Sequence, residues 1–344
     1  VTITTNSNAA NGSEAESKES IKFNAPKAYS AQDRAVTTED YKVKVNELYA
    51  NAKSVSAWGG EDNDTPFYGR VYISIKAKSG STLTQATKDD LVVQLKKYSV
   101  ASVTPVIVDP EQTDILLTSN IKYNEQATSK TSTTLKTDIT NALTNYNDNT
   151  LNQFDGVFRY SKVIELIDDA DSSLLSNITT VKIRKSFTPT LLSSNKYDIY
   201  FRNALFNPHS GHNATAGGIL SSTGFKIDGN DNEMFLDDDG EGNVRLYQLD
   251  SGIRTYVNST QGTISYSSGQ ITLNSLNVAS ISNIRGSTST VVELTVTPDS
   301  NDVVPVRDQI VEIDVSNSSV TVNSDTFVGG SADAGVGYTT TSSY

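Results

Sequence analysis

The chain has 344 residues, 36% of them hydrophobic, a formal net charge of −12 and a pI near 4.7. That length supports two or three domains with a sizeable core, and the acidity disfavours a phosphate backbone as partner, so no nucleic acid is expected. Without cysteine there is neither a disulfide framework nor a thiolate metal site, and no run approaches the roughly 20 apolar residues of a membrane span.

The first residues, VTITTNSNAANG, are polar and lack the basic and apolar regions of a signal peptide. Because the chain begins at Val1 without an initiator Met, it reads as a fragment whose amino-terminal part is missing. Ser13 to Lys22 is helix-compatible, with Ser13 and Glu16 in capping-box relation, Ile21 and Phe23 as apolar anchors and Pro26 as the stop. Lys27 to Val36 reads as a connector. In the next unit Thr37 caps a helix and Asp40 reaches back to it. Tyr41, Val45, Leu48 and Ala52 share its apolar face.

Ser54 to Trp58 switches to period two, a short strand ended by Gly59-Gly60 and followed by the acidic loop Glu61–Asp64. Phe67 to Ala77 alternates as a half-buried strand that pairs with it. A helix follows over Thr84–Ser99, then strands Val103–Val108 and Ile115–Tyr123, split by Asp109-Pro110. Lys130 to Tyr146 and the stretch around Tyr160, Val163, Ile164 and Ile167 are helical, and Asn177–Ser186 is a strand. The pattern predicts an α+β domain with helices on one face of an open sheet.

After Pro189 helical periodicity vanishes, and turn residues recur every eight to twelve positions. Ten strands are predicted: 196–203, 218–228, 233–236, 243–250, 253–258, 262–266, 270–274, 291–297, 310–315 and 319–322. Asp228-Gly229, Asp239-Gly240 and Ser268-Gly269 mark turns between them. This second part is mainly β, a sandwich or barrel. The expected domains are therefore a lead-in segment at 1–33, an α+β domain at 34–188, a β-rich domain at 189–328 and a flexible Gly/Ser/Thr tail at 329–344, with a joint near Thr188–Asn195.

Few residues suggest chemistry. His209 and His212 form an HxxH pair without a third ligand at useful spacing, which favours a polar loop over a metal site. Asp237, Asp239 and Glu241 fall where a calcium loop places its acids, but the twelfth position is Gln248, and both flanks read as strands. An acidic hairpin turn is the simpler reading. Asp168, Asp169 and Asp171 read as a solvated helix exit, and Lys182, Arg184 and Lys185 as one solvent-facing side of a strand. Trp58, the sole tryptophan, packs in a core or anchors an interface. A glycoside hydrolase using Asp237 and Asp239 needs two acids across a cleft, and ranks last. No catalytic residue, cofactor or metal is expected.

The run ANGSEAESKESIKFNAPKAYSAQDRAVTTEDYKVKV carries Glu14–Ser17, Arg34–Thr37 and Glu39–Tyr41. It resembles the baseplate J-like family of contractile-tail machines, over about residues 10–185. SVSAWGGEDN, GFKIDGNDNEMFLDDDGEGNVRLYQLDSG and GTISYSSGQITLNSL are similar to the version found in T-even-like phage baseplate wedge proteins, extending the likeness to about residue 275. The resemblance implies the carboxy-terminal portion of a wedge subunit, assembled in the bacterial host cytoplasm and carried in the virion tail. It implies as partners a second copy in a homodimer, other wedge subunits and neighbouring wedges in a ring around the hub, with rearrangement when the sheath contracts and no membrane partner. Expected contact residues are Trp58, Glu61, Asp62 and Asp64 on one loop and Asp237, Asp239 and Glu241 on the acidic hairpin. The rival reading is a carbohydrate- or surface-binding β-module.

Overall fold

The computed structural model describes residues 18–78, 82–212 and 218–325. The lead segment up to residue 17, including the Ser13–Glu16 cap, and the tail at 329–344 lie outside them. The chain forms two compact units: Val1–Gln112 with Asn152–Gly156 and Pro305–Ile310, and Thr113–Leu151 with Val157–Val304 and Val311–Tyr344. The class is α+β followed by a mainly β region, and the stretch 188–195 runs inside the second unit.

In the first unit, α1 (Lys18–Ala31) continues through Pro26, where the sequence had predicted its end. Proline removes one helix bond and crowds the preceding turn. Here the following turn is held by Ala31, which is buried, and by the Arg34 amide donating to the Ala31 carbonyl. Ile21, expected as an anchor, is exposed. α2 (Thr38–Leu48) starts as predicted: the Thr37 hydroxyl accepts from the Asp40 amide, and Asp40 accepts from the Thr37 amide at 2.8 Å. Tyr41 and Val45 are buried on its inner face.

β1 (Ala52–Gly59) pairs antiparallel with β2 (Arg70–Ala77), setting Val55 opposite Ile75 and Ala57 opposite Ile73. α3 (Gln85–Leu95), capped by Thr84, carries the chain over to β3 (Thr104–Val108), which lies parallel to β2. A parallel pair needs such a crossover. The sheet order is β1-β2-β3, and Tyr41, Val45, Ile73, Ile75, Leu91 and Leu95 fill one apolar cluster.

The second unit contains a second sheet, where one continuous open sheet had been expected. β4 (Glu111–Tyr123) pairs antiparallel with β5 (Leu174–Phe187), and between them come α4 (Ser132–Tyr146) and α5 (Tyr160–Asp168). Leu135, Ile139, Leu143, Val163 and Ile167 are fully buried in the same core as Ile115, Leu117, Val181 and Ile183.

β6 (Ser194–Tyr200), β7 (Ser221–Ser222) and β8 (Phe225–Ile227) follow. After them come β9 (Asn230–Asp238), β10 (Asn243–Asp250), β11 (Ile253–Ser265) and β12 (Gln270–Ile281). The antiparallel ladders run β8–β9, β9–β10, β10–β11, β11–β12 and β12–β8, so five strands close on themselves as a small barrel. β6 adds to β12. Phe225, Met234, Leu236, Val244, Leu246, Ile264, Ile271 and Val278 are buried in the core. The two strands predicted at 253–258 and 262–266 are one bent strand. Its register with β10 jumps between Asn258 and Gly262, and a Cβ at Gly262 would lie 2.1 Å from the Thr272 carbonyl oxygen. Only glycine permits that approach.

The chain then returns to the second sheet. β13 (Val292–Val296) pairs with β5 and β7, while β14 (Gln309–Ile313) and β15 (Ser319–Ser324) take the remaining edge of β4, β15 in parallel. The early α+β segment thus completes its sheet with the last strands of the chain.

Candidate functional site

The loop that leaves β1 is fixed by its own backbone. The Gly60 carbonyl accepts from the Asn63 amide at 3.4 Å and from the Phe67 amide at 2.8 Å. A Cβ on Gly60 would meet the Phe67 carbonyl oxygen at 2.0 Å, so the closure depends on glycine. Trp58 faces inward with 8% exposure. Its indole N–H donates to Asn63 Oδ1 at 2.8 Å, and its ring stacks on Tyr72 at 5.9 Å. Trp58 therefore holds the loop from beneath. Glu61 and Asp62 are exposed, as are Phe67 and Tyr68. Asp64 pairs with Arg307 at 2.9 Å, and Arg307 also donates to the Asp62 carbonyl.

The hairpin between β9 and β10 treats its acids differently. Asp237 is 1% exposed. Its oxygens accept from Arg245 Nε at 2.9 Å, Arg254 Nη1 at 2.8 Å and the Tyr256 hydroxyl at 3.0 Å. Around it Phe235 stacks on Tyr247, Arg254 lies over the Tyr247 ring, and Arg245 lies over the Tyr256 ring. Burial, together with the hydrogen bond to Asp237, pushes the Tyr256 phenol up. Asp239 turns back on its loop, accepting from the Glu241 and Asn243 amides at 2.8 and 2.9 Å. Although burial opposes its charge, these donors hold the carboxyl below its ordinary value. Glu241 is exposed and accepts from the Ser210 hydroxyl.

Both carboxylates of the imagined hydrolase are thus engaged, Asp237 by two guanidinium groups and Asp239 by the turn. They shape the hairpin. A signal for this was present in the sequence: a turn centred on Glu241 places Asp237 opposite Arg245, the register the ladder shows.

Sequence reasoning missed Asp238. It points to the other side of β9, is fully buried, and accepts from the Ile219 and Leu220 amides at 2.7 and 2.8 Å and from the Tyr266 hydroxyl at 2.7 Å. Gly218 (φ +62°) makes room, since a Cβ there would fall 2.0 Å from the Asp238 carboxylate. Burial raises the Asp238 pKa, and burial beside that carboxylate raises that of Tyr266.

The basic run on β5 also needs correction. Lys182 is exposed, but Arg184 and Lys185 are buried. Arg184 bonds Asp114 at 2.6 Å and Asp314 at 2.5 Å, and faces Glu293 at 3.6 Å, tying β4, β5, β13 and the residue after β14 together. Despite burial, its Ser316, Asn317 and Arg184 partners lower the Asp314 carboxyl to about 2. His209 and His212 bond each other, ring nitrogen to ring nitrogen, at 3.1 Å. Asp171 pairs with Lys130 at 2.8 Å.

Two family models and one relative point to the same kind of protein. Residues 37–108 match the family described as baseplate structural protein gp6, C-terminal domain I. Residues 115–186 match baseplate structural protein gp6, C-terminal domain III. The first stretch lies in the first unit; the second, apart from 152–156, lies in the second unit. Over 153 residues the chain is 28% identical to the baseplate wedge protein gp6 of Enterobacteria phage T4, an alignment covering 44% of this chain and 23% of that protein. The chain thus spans under a quarter of that relative's length. A cryo-EM structure of the anti-feeding prophage (AFP) baseplate, 6-fold symmetrised, covers 48% of this chain and 38% of its own at 10% identity. Its TM-score of 0.36 is too low to inform the fold. Across the two matched stretches the chain resembles the carboxy-terminal portion of a baseplate wedge protein.

Proposed function

We propose that this chain, with two stretches matching gp6 carboxy-terminal domains, is a structural subunit of the wedge of a contractile phage-tail baseplate. The consecutive match to two domains of one structural protein carries the reading. Such a subunit resides in the virion tail and acts by contact, without turning over a substrate. Its partners are a second copy, other wedge subunits and neighbouring wedges in a ring around the hub, and those contacts rearrange when the sheath contracts. Exposed Glu61 and Asp62 are contact residues offered on a loop that Trp58 and Asp64 brace, and Glu241 is offered on a hairpin that Asp237 and Asp239 shape. A preformed loop loses little conformational freedom on docking, which favours such a role.

Sedimentation of the purified chain, alone and mixed with wedge proteins of the same phage, tests the reading. A mixed complex that Glu61→Lys with Asp62→Lys weakens is the expected result. A chain that stays monomeric at high concentration and binds no wedge protein overturns it.

A further inference from the structure

One edge of the barrel is open. Residues 262–265 of β11 pair with β12, whereas 253–258 pair with β10 alone. Among the described residues, no backbone partner lies along the other edge of that distal half. All of 253–257 is exposed, with Ile253 at 71%, Tyr256 at 42% and Val257 at 46%, and Leu249 across the hairpin at 49%. An edge strand of branched and aromatic residues invites pairing, and proteins usually blunt it with proline, charged side chains, lysine above all, or a bulge. This segment, IRTYVN, has no proline or lysine, and its one charge, Arg254, is held by Asp237.

The edge is also rigid and of known polarity. Ser251 (φ 54°) and Gly252 (φ 84°) form a two-residue turn with both central residues left-handed, the preferred hairpin closure. Asp250 and Ile253 are the closing pair, and Leu249 lies opposite Arg254. The backbone groups of Ile253 and Thr255 therefore bond β10, and those of Arg254 and Tyr256 face outward. Arg254 and Tyr256 are pinned on Asp237, so little disorder remains to be lost on pairing.

We infer that the outer edge of β11 is a self-association surface, on which a second copy of this chain adds its own 253–257 segment antiparallel about a two-fold axis at Thr255. The side chains favour a second copy over an unrelated strand. In that register Arg254 lies opposite Tyr256 of the second copy, and both side chains lean back across β10 onto Asp237, so no bare charge faces the seam. Ile253 lies opposite Val257 of the second copy, apolar on apolar, and Thr255 meets its own counterpart. No like charges oppose, the condition cross-strand pairs must meet. The inference rests on the assembly reading above, which supplies the need for self-contact, and it names where that contact falls.

The chain contains no cysteine, so Thr255→Cys introduces a single thiol. At a two-fold, non-hydrogen-bonded position the Cα atoms stand about 4.5 Å apart, within disulfide reach. Mild oxidation is expected to cross-link Thr255→Cys into a dimer, while Thr133→Cys, exposed on α4, serves as the control. Thr255→Lys and Thr255→Asp should each weaken the dimer about tenfold, like charge facing like. An equimolar mixture of the two should restore it. Unchanged thermal midpoints exclude misfolding as the cause. Cross-linking no greater than that of the control, or a dimer indifferent to both charges, overturns the inference. If such a chain still binds wedge proteins, the assembly reading stands. If cross-links form only to a cysteine-bearing wedge protein of another kind, the edge belongs to a foreign strand and the second-copy assignment fails.

Discussion

Two acidic turns of similar sequence character do opposite things with their charge. In the loop after β1, Glu61 and Asp62 point outward while an indole, a glycine and Arg307 hold the backbone in place. In the hairpin after β9, Asp237 and Asp238 are buried, and the strands are organised around them. What separates the cases is the supply of donors opposite: two arginines and a tyrosine for Asp237, two amides and a tyrosine for Asp238. A carboxylate enters the interior only where such donors replace water.

The sharpest break of this contrast is Asp237→Ala. It strands Arg245 and Arg254 beside their aromatic neighbours and should cost about 3 kcal/mol of unfolding free energy, read by urea denaturation. Asp238→Ala should cost about 2 kcal/mol, because two amides and a phenol lose their acceptor. Asp238→Asn keeps the acceptor and removes the charge, and its effect should depend on pH. The folded pKa of Asp238 is raised by burial. Its contribution is therefore complete below the unfolded value near 3.8 and is lost as pH rises through the folded value. The Asn variant should gain stability relative to the parent as pH rises above about 4; urea midpoints that stay parallel as pH rises would contradict this.

Smaller effects belong to the other turn. Trp58→Tyr removes the bond to Asn63 and part of the stack on Tyr72, an expected loss of about 1 kcal/mol by thermal denaturation. Glu61→Gln should change stability by less than about 0.5 kcal/mol, as befits an exposed side chain. A larger shift in that last variant would mean that Glu61 also serves the fold.

Local features were legible in the sequence because their causes are local. The Thr37–Asp40 cap spans three residues, and the inward faces of α2, α4 and α5 follow from spacing alone. The turns at Gly229, Gly240 and Gly269, all at positive φ, announced themselves through glycine. What could not be read was pairing at long range. Nothing near β4 says that its second edge is filled by β14 and β15, or that Arg184 is neutralised by acids 70 and 130 residues away. A charged residue in an alternating strand looks solvated until its partners are known, which is why Arg184 was misread. Of the candidate contact residues, the loop was legible as a loop, but the sequence could not show that Trp58 sits beneath it or that Asp237 lies inside the hairpin.

The return of β13–β15 to β4 and β5 has a consequence for how the polypeptide is made. The Leu117 amide bonds the hydroxyl of Ser318, 201 residues later. At a synthesis rate of about 5–20 residues per second, β4 emerges roughly 10–40 s before the strand that shields its edge. For that interval the nascent chain carries a bare β edge, and a gene truncated before β13 would leave it bare for good.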